Sequence, residues 1–211
     1  MSIAFRAALA AVILAGAAAS VRADAKDDIK ESGAAFANAM NKGDAKEAKK
    51  YVLPNPDTEK FIEALVPVSA ARTKLVDASV AKFGEQGKSI MGTGRGPQTP
   101  HYTAKDFDDA QIDVQGDTAI ATSKSGGRPV KFKKEGGNWK IDFAEFVPHE
   151  QLDRVVQMMP KMATAMDQTT GEIKDGKYAT VTDAQRGLGR NIGAAMGFPG
   201  GAPGGPPSRQ R

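Results

Sequence analysis

The residues best suited to proton-transfer chemistry stand just ahead of the first predicted strand. Tyr102 follows His101 directly, and Asp106 comes shortly after Tyr102. A phenol and a carboxylate at the mouth of a cavity could move a proton to and from a small substrate. An acidic segment before a strand is also typical of a solvated loop. Tyr102 and Asp106 are therefore candidate ligand-pocket residues, and we assign no catalytic role to either.

Trp139 and Phe132 are the other two candidate pocket residues. Trp139 is the only tryptophan, and it alternates with Ile141 and Phe143 along one run, as Phe132 alternates with Val130 along the run before. Because successive side chains of a strand point to opposite sides of the sheet, each run presents one apolar face. We expect Trp139 to be buried in the core, with the wall of a ligand cavity and an exposed recognition surface as open alternatives.

Metal, nucleotide and thiol chemistry are not predicted. The chain has no cysteine, which excludes disulfides, thiolate metal sites and cysteine nucleophiles. Its two histidines, His101 and His149, each stand beside a proline and are expected at the surface. Gln86–Ser89 resembles the end of a phosphate-binding loop, but Lys82 occupies the position where that motif needs glycine. No Asp, Glu and His cluster has metal-ligand spacing, and we predict no metal site and no cofactor.

The N-terminus has the layout of a secretory signal peptide. Met1–Arg6 carries one positive charge, Ala7–Ala19 is small and apolar, and Val21 and Ala23 suit cleavage before Asp24. The apolar run is shorter than the ~20 residues of a membrane span, and a retained anchor is the rival interpretation. We expect a protein exported to the periplasm or the cell exterior, with no membrane span after signal cleavage.

The formal net charge of +4 does not indicate a nucleic-acid partner. Arg6 and Arg22 lie near one end and Arg209 and Arg211 near the other, and neither end contains an acid, so the body between them has no net formal charge. The lysines and acids of that body are interspersed, as on a solvated surface. A nucleic-acid binder usually concentrates its basic charge on one face.

The elements that must position the candidate residues begin with helices. Apolar spacing predicts a helix over Ala25–Lys42 and a second one capped by Asp44. A third helix, capped by Asp57 or Thr58, should run to about Phe83, and Pro67 should kink or break it. A long loop is expected over the glycine- and proline-rich residues that follow, Gly84–Pro100.

A four-stranded antiparallel meander should follow these helices. Short alternating runs separated by turn residues predict strands over Gln111–Val114, Thr118–Ser123, Val130–Lys134 and Trp139–Phe143. Short connections favour antiparallel neighbours. The sequence thus predicts an α+β fold, in which the N-terminal helices pack on a curved antiparallel sheet.

The C-terminal part should be a helical extension. Glu150–Lys174 has helical spacing interrupted by Pro160, and Thr182 with Gln185 forms a capping-box pattern ahead of a last helix to about Met196. A disordered tail is expected at Gly197–Arg211. The predicted segments are a signal peptide at 1–23, the helix-and-sheet domain at 24–147, the helical extension at 148–196 and the tail at 197–211.

Two motifs resemble the nuclear transport factor 2-like (NTF2-like, cystatin-like fold) superfamily. They are "VQGDTAIA" at Val114–Ala121 and "KKEGGNWKID" at Lys133–Asp142, and the resemblance covers roughly Ala25–Phe146. It implies an α+β cone in which a curved sheet wraps around helices. The superfamily includes enzymes, such as ketosteroid isomerase and scytalone dehydratase, and many non-enzymatic binders. Their catalytic residues have no matching positions here, so none is carried over.

We therefore expect an exported, non-enzymatic domain that binds a small apolar ligand or a protein partner. Two alternatives stay open: a small-molecule enzyme of the isomerase or hydrolase type that uses a pocket at the cone mouth, and a cell-envelope assembly protein. Self-association through the sheet as a homodimer is a further expectation.

Overall fold

The computed structural model describes residues 24–92, 102–126, 128–147 and 149–198, and it confirms an α+β fold. The helices are α1 (24–42), α2 (Ala45–Lys49), α3 (Pro56–Phe83), α4 (Ala104–Asp108), α5 (Leu152–Lys174) and α6 (Val181–Ala195). The strands are β1 (Gln111–Gln115), β2 (Thr118–Thr122), β3 (Val130–Glu135) and β4 (Asn138–Ile141). None of the described helices is long and apolar enough to cross a membrane.

The chain divides into two compact units. Of the described residues, the first unit comprises 24–38, Glu47–Leu53 and Tyr102–Ala144, and the second comprises the others. The sheet belongs to the first unit, and α3, α5 and α6 belong to the second. The predicted signal peptide, and the predicted tail from residue 199 onward, lie outside the described residues.

The sheet is the predicted antiparallel meander, with strand order β1-β2-β3-β4. Its inner face is built by the alternation seen in the sequence, since Val130 and Phe132 on β3 and Trp139 and Ile141 on β4 are all buried. The turn between these strands needs two residues with positive φ, a conformation that residues with a β-carbon rarely adopt. Gly136 and Gly137 occupy these two positions.

Helix α1 packs against this inner face. The rings of Phe36 and Phe143, both buried, lie 5.7 Å apart. One turn earlier the ring of Phe107 fills the space where a β-carbon on Gly33 would stand, so glycine is required for this close approach. The position of Phe107 thereby ties the short helix α4 to α1.

Helix α3 begins earlier than predicted. The Asn55 side chain accepts hydrogen bonds from the backbone N–H groups of Asp57 and Thr58, so Asn55 is the N-cap and the predicted caps Asp57 and Thr58 were wrong. Pro56 explains the shift, because proline fits the first helical position, where the missing N–H has no partner in any case.

Proline breaks neither long helix. Helix α3 runs through Pro67 and α5 runs through Pro160, so a break at Pro67 and the interruption predicted at Pro160 were wrong, whereas a kink at Pro67 stays a prediction. Each proline removes one backbone donor, whereas buried side chains line both helices on either side of it. Packing of these apolar rows outweighs the loss of a single hydrogen bond.

Two further local predictions were also wrong. The segment Gly84–Ser89, expected to be loop, forms a 3₁₀ helix. The cap of α6 is Thr180, whose hydroxyl oxygen accepts from Asp183 N–H, and the capping box predicted at Thr182 and Gln185 does not form. Gln185 instead donates from Nε2 to the backbone oxygen of Ser89 at 2.5 Å.

Candidate functional site

Asp106 lies at the centre of a hydroxyl cluster at one end of the sheet. Its Oδ1 accepts hydrogen bonds from Ser123 Oγ at 3.0 Å and Ser125 Oγ at 2.6 Å. Its Oδ2 accepts from the N–H of Thr103 at 2.8 Å and from Thr103 Oγ1 at 2.7 Å. Thr103 and Asp106 form a capping box at the start of α4. The acidic segment interpreted as a loop is therefore a capped helix, fastened to the β2–β3 connection.

The cluster makes Asp106 a weak base. Burial alone would raise the pKa of its carboxyl, but the hydrogen bonds from Ser125, Thr103 and Ser123 outweigh burial and lower the pKa to about 2. A general base works best when its pKa lies near the operating pH. A carboxylate that accepts four hydrogen bonds and resists protonation is better suited to holding a helix in place.

Tyr102 belongs to the same aromatic cluster as Phe132, another candidate pocket residue. Its ring centroid lies 5.6 Å from that of Phe107, which in turn lies 6.1 Å from Phe132 in an edge-to-face arrangement. Burial raises the pKa of the Tyr102 phenol to about 12, an effect that nearby Arg128 opposes and Asp106 reinforces. Tyr102 therefore keeps its proton at neutral pH, while Asp106 has already lost its own.

Trp139 is buried, as predicted, with 5 % of its surface exposed. Lys134 Nζ lies 5.9 Å from the centroid of its ring. Its indole Nε1 is enclosed and has no hydrogen-bond partner among the described residues. The free energy gained by burying the large apolar ring of Trp139 exceeds the free energy lost by leaving one N–H without a hydrogen bond.

The structure thus brings Tyr102, Phe132 and Asp106 into one neighbourhood around Phe107, whereas Trp139 forms no ring–ring contact or side-chain hydrogen bond with that group in the described residues. His149 lies in the second unit, half exposed, with Nδ1 3.1 Å from Asp57 Oδ2. His101 lies outside the described residues. Across those ranges no group of His, Asp and Glu side chains has the arrangement of a metal site.

One edge of the sheet is closed by other parts of the first unit. Ile141 on β4 donates its N–H to Tyr51 O at 2.8 Å and accepts from Leu53 N–H at 2.9 Å. Ser32 on α1 donates from Oγ to the backbone oxygen of Trp139 at 2.8 Å. The outward-facing backbone groups of β4 are therefore largely occupied.

The other edge is β1, and the ladder fixes which of its groups face outward. Lys134 N–H donates to Asp117 O at 2.8 Å, so odd-numbered residues of β2 bond to β3. Hydrogen-bonded pairs alternate along an antiparallel ladder, so even-numbered residues of β2 bond to β1, where Ile120 lies opposite Asp113. The N–H and C=O groups of Ile112 and Val114 consequently point away from the sheet.

These outward groups have no backbone partner in the ranges that the structure describes. A row of unpaired N–H and C=O groups on an edge strand is a template for another strand. Sequence reasoning found β1 as a strand but missed its open edge, because strand order and the contacts that cover β4 depend on residues far apart in the chain.

Comparison with known proteins identifies no relative. No protein-family model matches the chain, and neither the curated proteins nor the solved structures contain a significant match. The NTF2-like resemblance therefore stays a prediction from two motifs, and function has to be argued from the geometry of the described residues.

Proposed function

We propose that the chain is an exported, non-enzymatic protein-interaction domain that binds an extended segment of a partner beside β1. The observation that carries this proposal is the difference between the two edges of the sheet. Ser32 and Tyr51–Leu53 cover β4, whereas the backbone groups of Ile112 and Val114 are left without backbone partners among the described residues. Strand addition to an exposed edge is a recurrent mode of peptide recognition.

Main-chain pairing alone would give weak binding. Ile112 and Val114 offer four backbone groups, and each hydrogen bond contributes about 0.5–1.5 kcal/mol net. Their sum is about 2–6 kcal/mol. The upper limit of this range corresponds to a dissociation constant on the order of tens of micromolar, and the rest of the range corresponds to much weaker binding. Side chains beside the edge must therefore supply the remaining affinity and the specificity.

The protonation states of Tyr102 and Asp106 support a binding role over acid–base catalysis. The pKa of Tyr102 is raised to about 12 and that of Asp106 is lowered to about 2. Near neutral pH neither group exchanges its proton readily, so the pair is poorly matched to a shuttle. The isomerase or hydrolase alternative draws no support from these two residues.

Export and the NTF2-like architecture are parts of the same proposal. The three-part N-terminal layout over 1–23 supports export. The order of helices followed by a four-stranded antiparallel sheet agrees with the coarse α+β layout that the resemblance implies. Outside the cell, an open edge would meet the extended segments of other exported proteins.

The test is selection of binders from a phage-displayed library of random nine-residue peptides on purified protein. Val114→Pro removes the outward N–H and is compatible with an edge strand, where proline occurs on the unpaired side. Val114→Thr keeps the N–H and the side-chain shape, and is the matched control.

Strand addition predicts that selected peptides bind wild type and Val114→Thr, and bind Val114→Pro at least about tenfold more weakly. Circular dichroism and thermal melting establish that both variants fold. Selection of no peptide, or of peptides that bind the folded proline variant equally well, would overturn the proposed function.

A further inference from the structure

We propose that the strand which pairs with β1 carries a lysine or arginine directly opposite Asp113. This inference rests on the proposed function and names the chemistry of the partner: an extended protein segment with a basic residue flanked by apolar ones. Asp113 stands at the centre of β1 on the exposed face of the sheet. The neighbouring Gln115 donates from Nε2 to its Oδ2 at 3.0 Å.

The charged residues of β1 and of the segments beside it in the chain are all acidic. Residues 106–123 contain five aspartates and no lysine or arginine. Asp106 is used in the hydroxyl cluster, while Asp108, Asp109, Asp113 and Asp117 are exposed and form no ion pair with the rest of the described chain. An approaching strand therefore meets four carboxylates on β1 and its flanks, and the nearest lysines along the chain, Lys105 and Lys124, lie outside this segment.

The hydrogen-bond pattern of the sheet places Asp113 and the residue opposite it on an added strand at the closest side-chain approach. Because Ile112 and Val114 would form the hydrogen bonds to an added antiparallel strand, Asp113 would sit in a non-hydrogen-bonded pair. The two Cα atoms of such a pair are only about 4.5 Å apart, so their side chains lie closest on the sheet surface. Opposite charges at this position stabilise the pairing and like charges destabilise it.

The same geometry disfavours a second copy of this chain as the occupant. Gln111–Gln115 reads Gln-Ile-Asp-Val-Gln, so two antiparallel copies centred on Asp113 would match glutamine with glutamine and isoleucine with valine. They would also bring two Asp113 carboxylates face to face. Self-pairing through this edge is therefore opposed by like-charge repulsion, whereas a basic partner is attracted.

The two residues beside Asp113 set the preference for the partner residues that flank the basic one. Ile112 is buried and Val114 half-buried, and both side chains lie on the inner face of the sheet. Residues opposite them on an added strand would lie on that same face, next to apolar neighbours. The expected partner motif is accordingly apolar-basic-apolar with period two.

Three end-blocked fluorescent peptides test the charge rule: STVKVTS, STVAVTS and STVEVTS, each titrated against the full-length protein by fluorescence anisotropy. The lysine peptide should bind tightest and the glutamate peptide weakest, with steps of up to about fivefold for each charge pair. The separation should shrink as salt rises. In Asp113→Lys the order should reverse, whereas Asp109→Asn should preserve it.

The outcomes separate the two claims. If all three peptides bind wild type equally and all lose binding to Val114→Pro, the edge binds strands and the charge rule is overturned. If none binds, both the rule and strand addition are overturned for peptides of this design. A protein that sediments as a dimer, and becomes monomeric in Val114→Pro, would show that a second copy occupies the edge and would overturn the basic-partner proposal.

Discussion

Ser32 Oγ donates a hydrogen bond to the backbone oxygen of Trp139 across 2.8 Å, joining residues 107 positions apart in the chain. The bond does two things at once. It fixes the distance between α1 and β4. It also gives a hydrogen-bond donor to the backbone oxygen of Trp139, which points away from β3 at the edge of the sheet. Trp139 is thus held at its backbone by α1 while its ring packs inside the first unit.

Replacing Trp139 with alanine should cost about 3–5 kcal/mol of unfolding free energy, because it removes a large buried side chain and leaves a cavity. Wild-type tryptophan emission should be blue-shifted and should move to the red on denaturation. Chemical denaturation with circular dichroism measures the loss. Ile120, 41 % exposed on the same sheet, provides the control, and Ile120→Ala should cost about 1 kcal/mol at most. Comparable losses in both variants would refute a core role for Trp139.

Replacing Asp106 with asparagine should destabilise the protein by about 0.5–2 kcal/mol at neutral pH, the usual cost of losing a helix-capping interaction. Asparagine keeps the shape but carries no charge to hold the hydroxyls of Thr103, Ser123 and Ser125. Asp108→Asn, an exposed change in the same helix, should stay within about 0.5 kcal/mol of wild type. Equal effects of the two changes would contradict the assigned role of Asp106.

The pH dependence of the Asp106 contribution follows from its lowered pKa. An aspartate has a pKa of about 3.9 in the unfolded chain, and the folded value is about 2. The stabilisation is therefore complete above about pH 5 and is lost as the pH falls through 4 towards 2. Urea unfolding of wild type and Asp106→Asn should show a difference in stability that shrinks across this window. A difference that stays constant would show that the charge of Asp106 is immaterial.

Gly187 and Gly171 should respond oppositely to alanine. A β-carbon at Gly187 would collide with the buried ring of Tyr178, whose hydroxyl donates to Glu172 Oε2 at 2.5 Å. Gly187→Ala should therefore destabilise α5–α6 packing, by about 1–2 kcal/mol after the gain in helix propensity. Nothing lies within 4 Å of a β-carbon at Gly171, so Gly171→Ala should stabilise by up to about 1 kcal/mol. Thermal melting measures both, and a stabilised Gly187→Ala would contradict the packing argument.

Period-two and period-3.6 patterns predicted most of the regular structure. All four strands and the long helices were found within a few residues, since alternation at Val130–Lys134 and similar runs is a local property. The failures have local causes too. Short polar segments such as Ala104–Asp108 have no apolar period, and they become helical through side-chain hydrogen bonds. Neither Pro67 nor Pro160 ended its helix, because packing that sequence cannot display compensates for one lost donor.

The candidate site was predictable only in part. Sequence singled out Tyr102, Asp106, Phe132 and Trp139, and the structure brings the first three together around Phe107. The sequence could not predict the hydroxyl cluster, because Asp106 meets Ser123 and Ser125, 17 and 19 positions further along the chain, only once β1 and β2 have paired. The difference between the β1 and β4 edges needs the strand order and long-range contacts, which no local pattern contains.

Export predicts a specific chain start. If residues 1–23 form a cleaved signal peptide, protein recovered from the periplasm or medium should begin at Asp24. Intact mass spectrometry and N-terminal sequencing measure this directly. Recovery of a membrane-associated form that retains Ala7–Ala19 would support an anchor and exclude cleavage.

The open edge of β1 is tested most directly by amide hydrogen exchange in the free protein, followed residue by residue with NMR. Asp113, whose N–H faces β2, and Ile141, whose N–H donates to Tyr51 O, should exchange slowly. The amides of Ile112 and Val114 should exchange about tenfold faster or more, because they face away from the sheet. Addition of excess STVKVTS peptide should slow the exchange of the Ile112 and Val114 amides. Equal protection of Ile112, Asp113 and Val114 in the free protein would show that the edge is already covered, and would contradict strand addition.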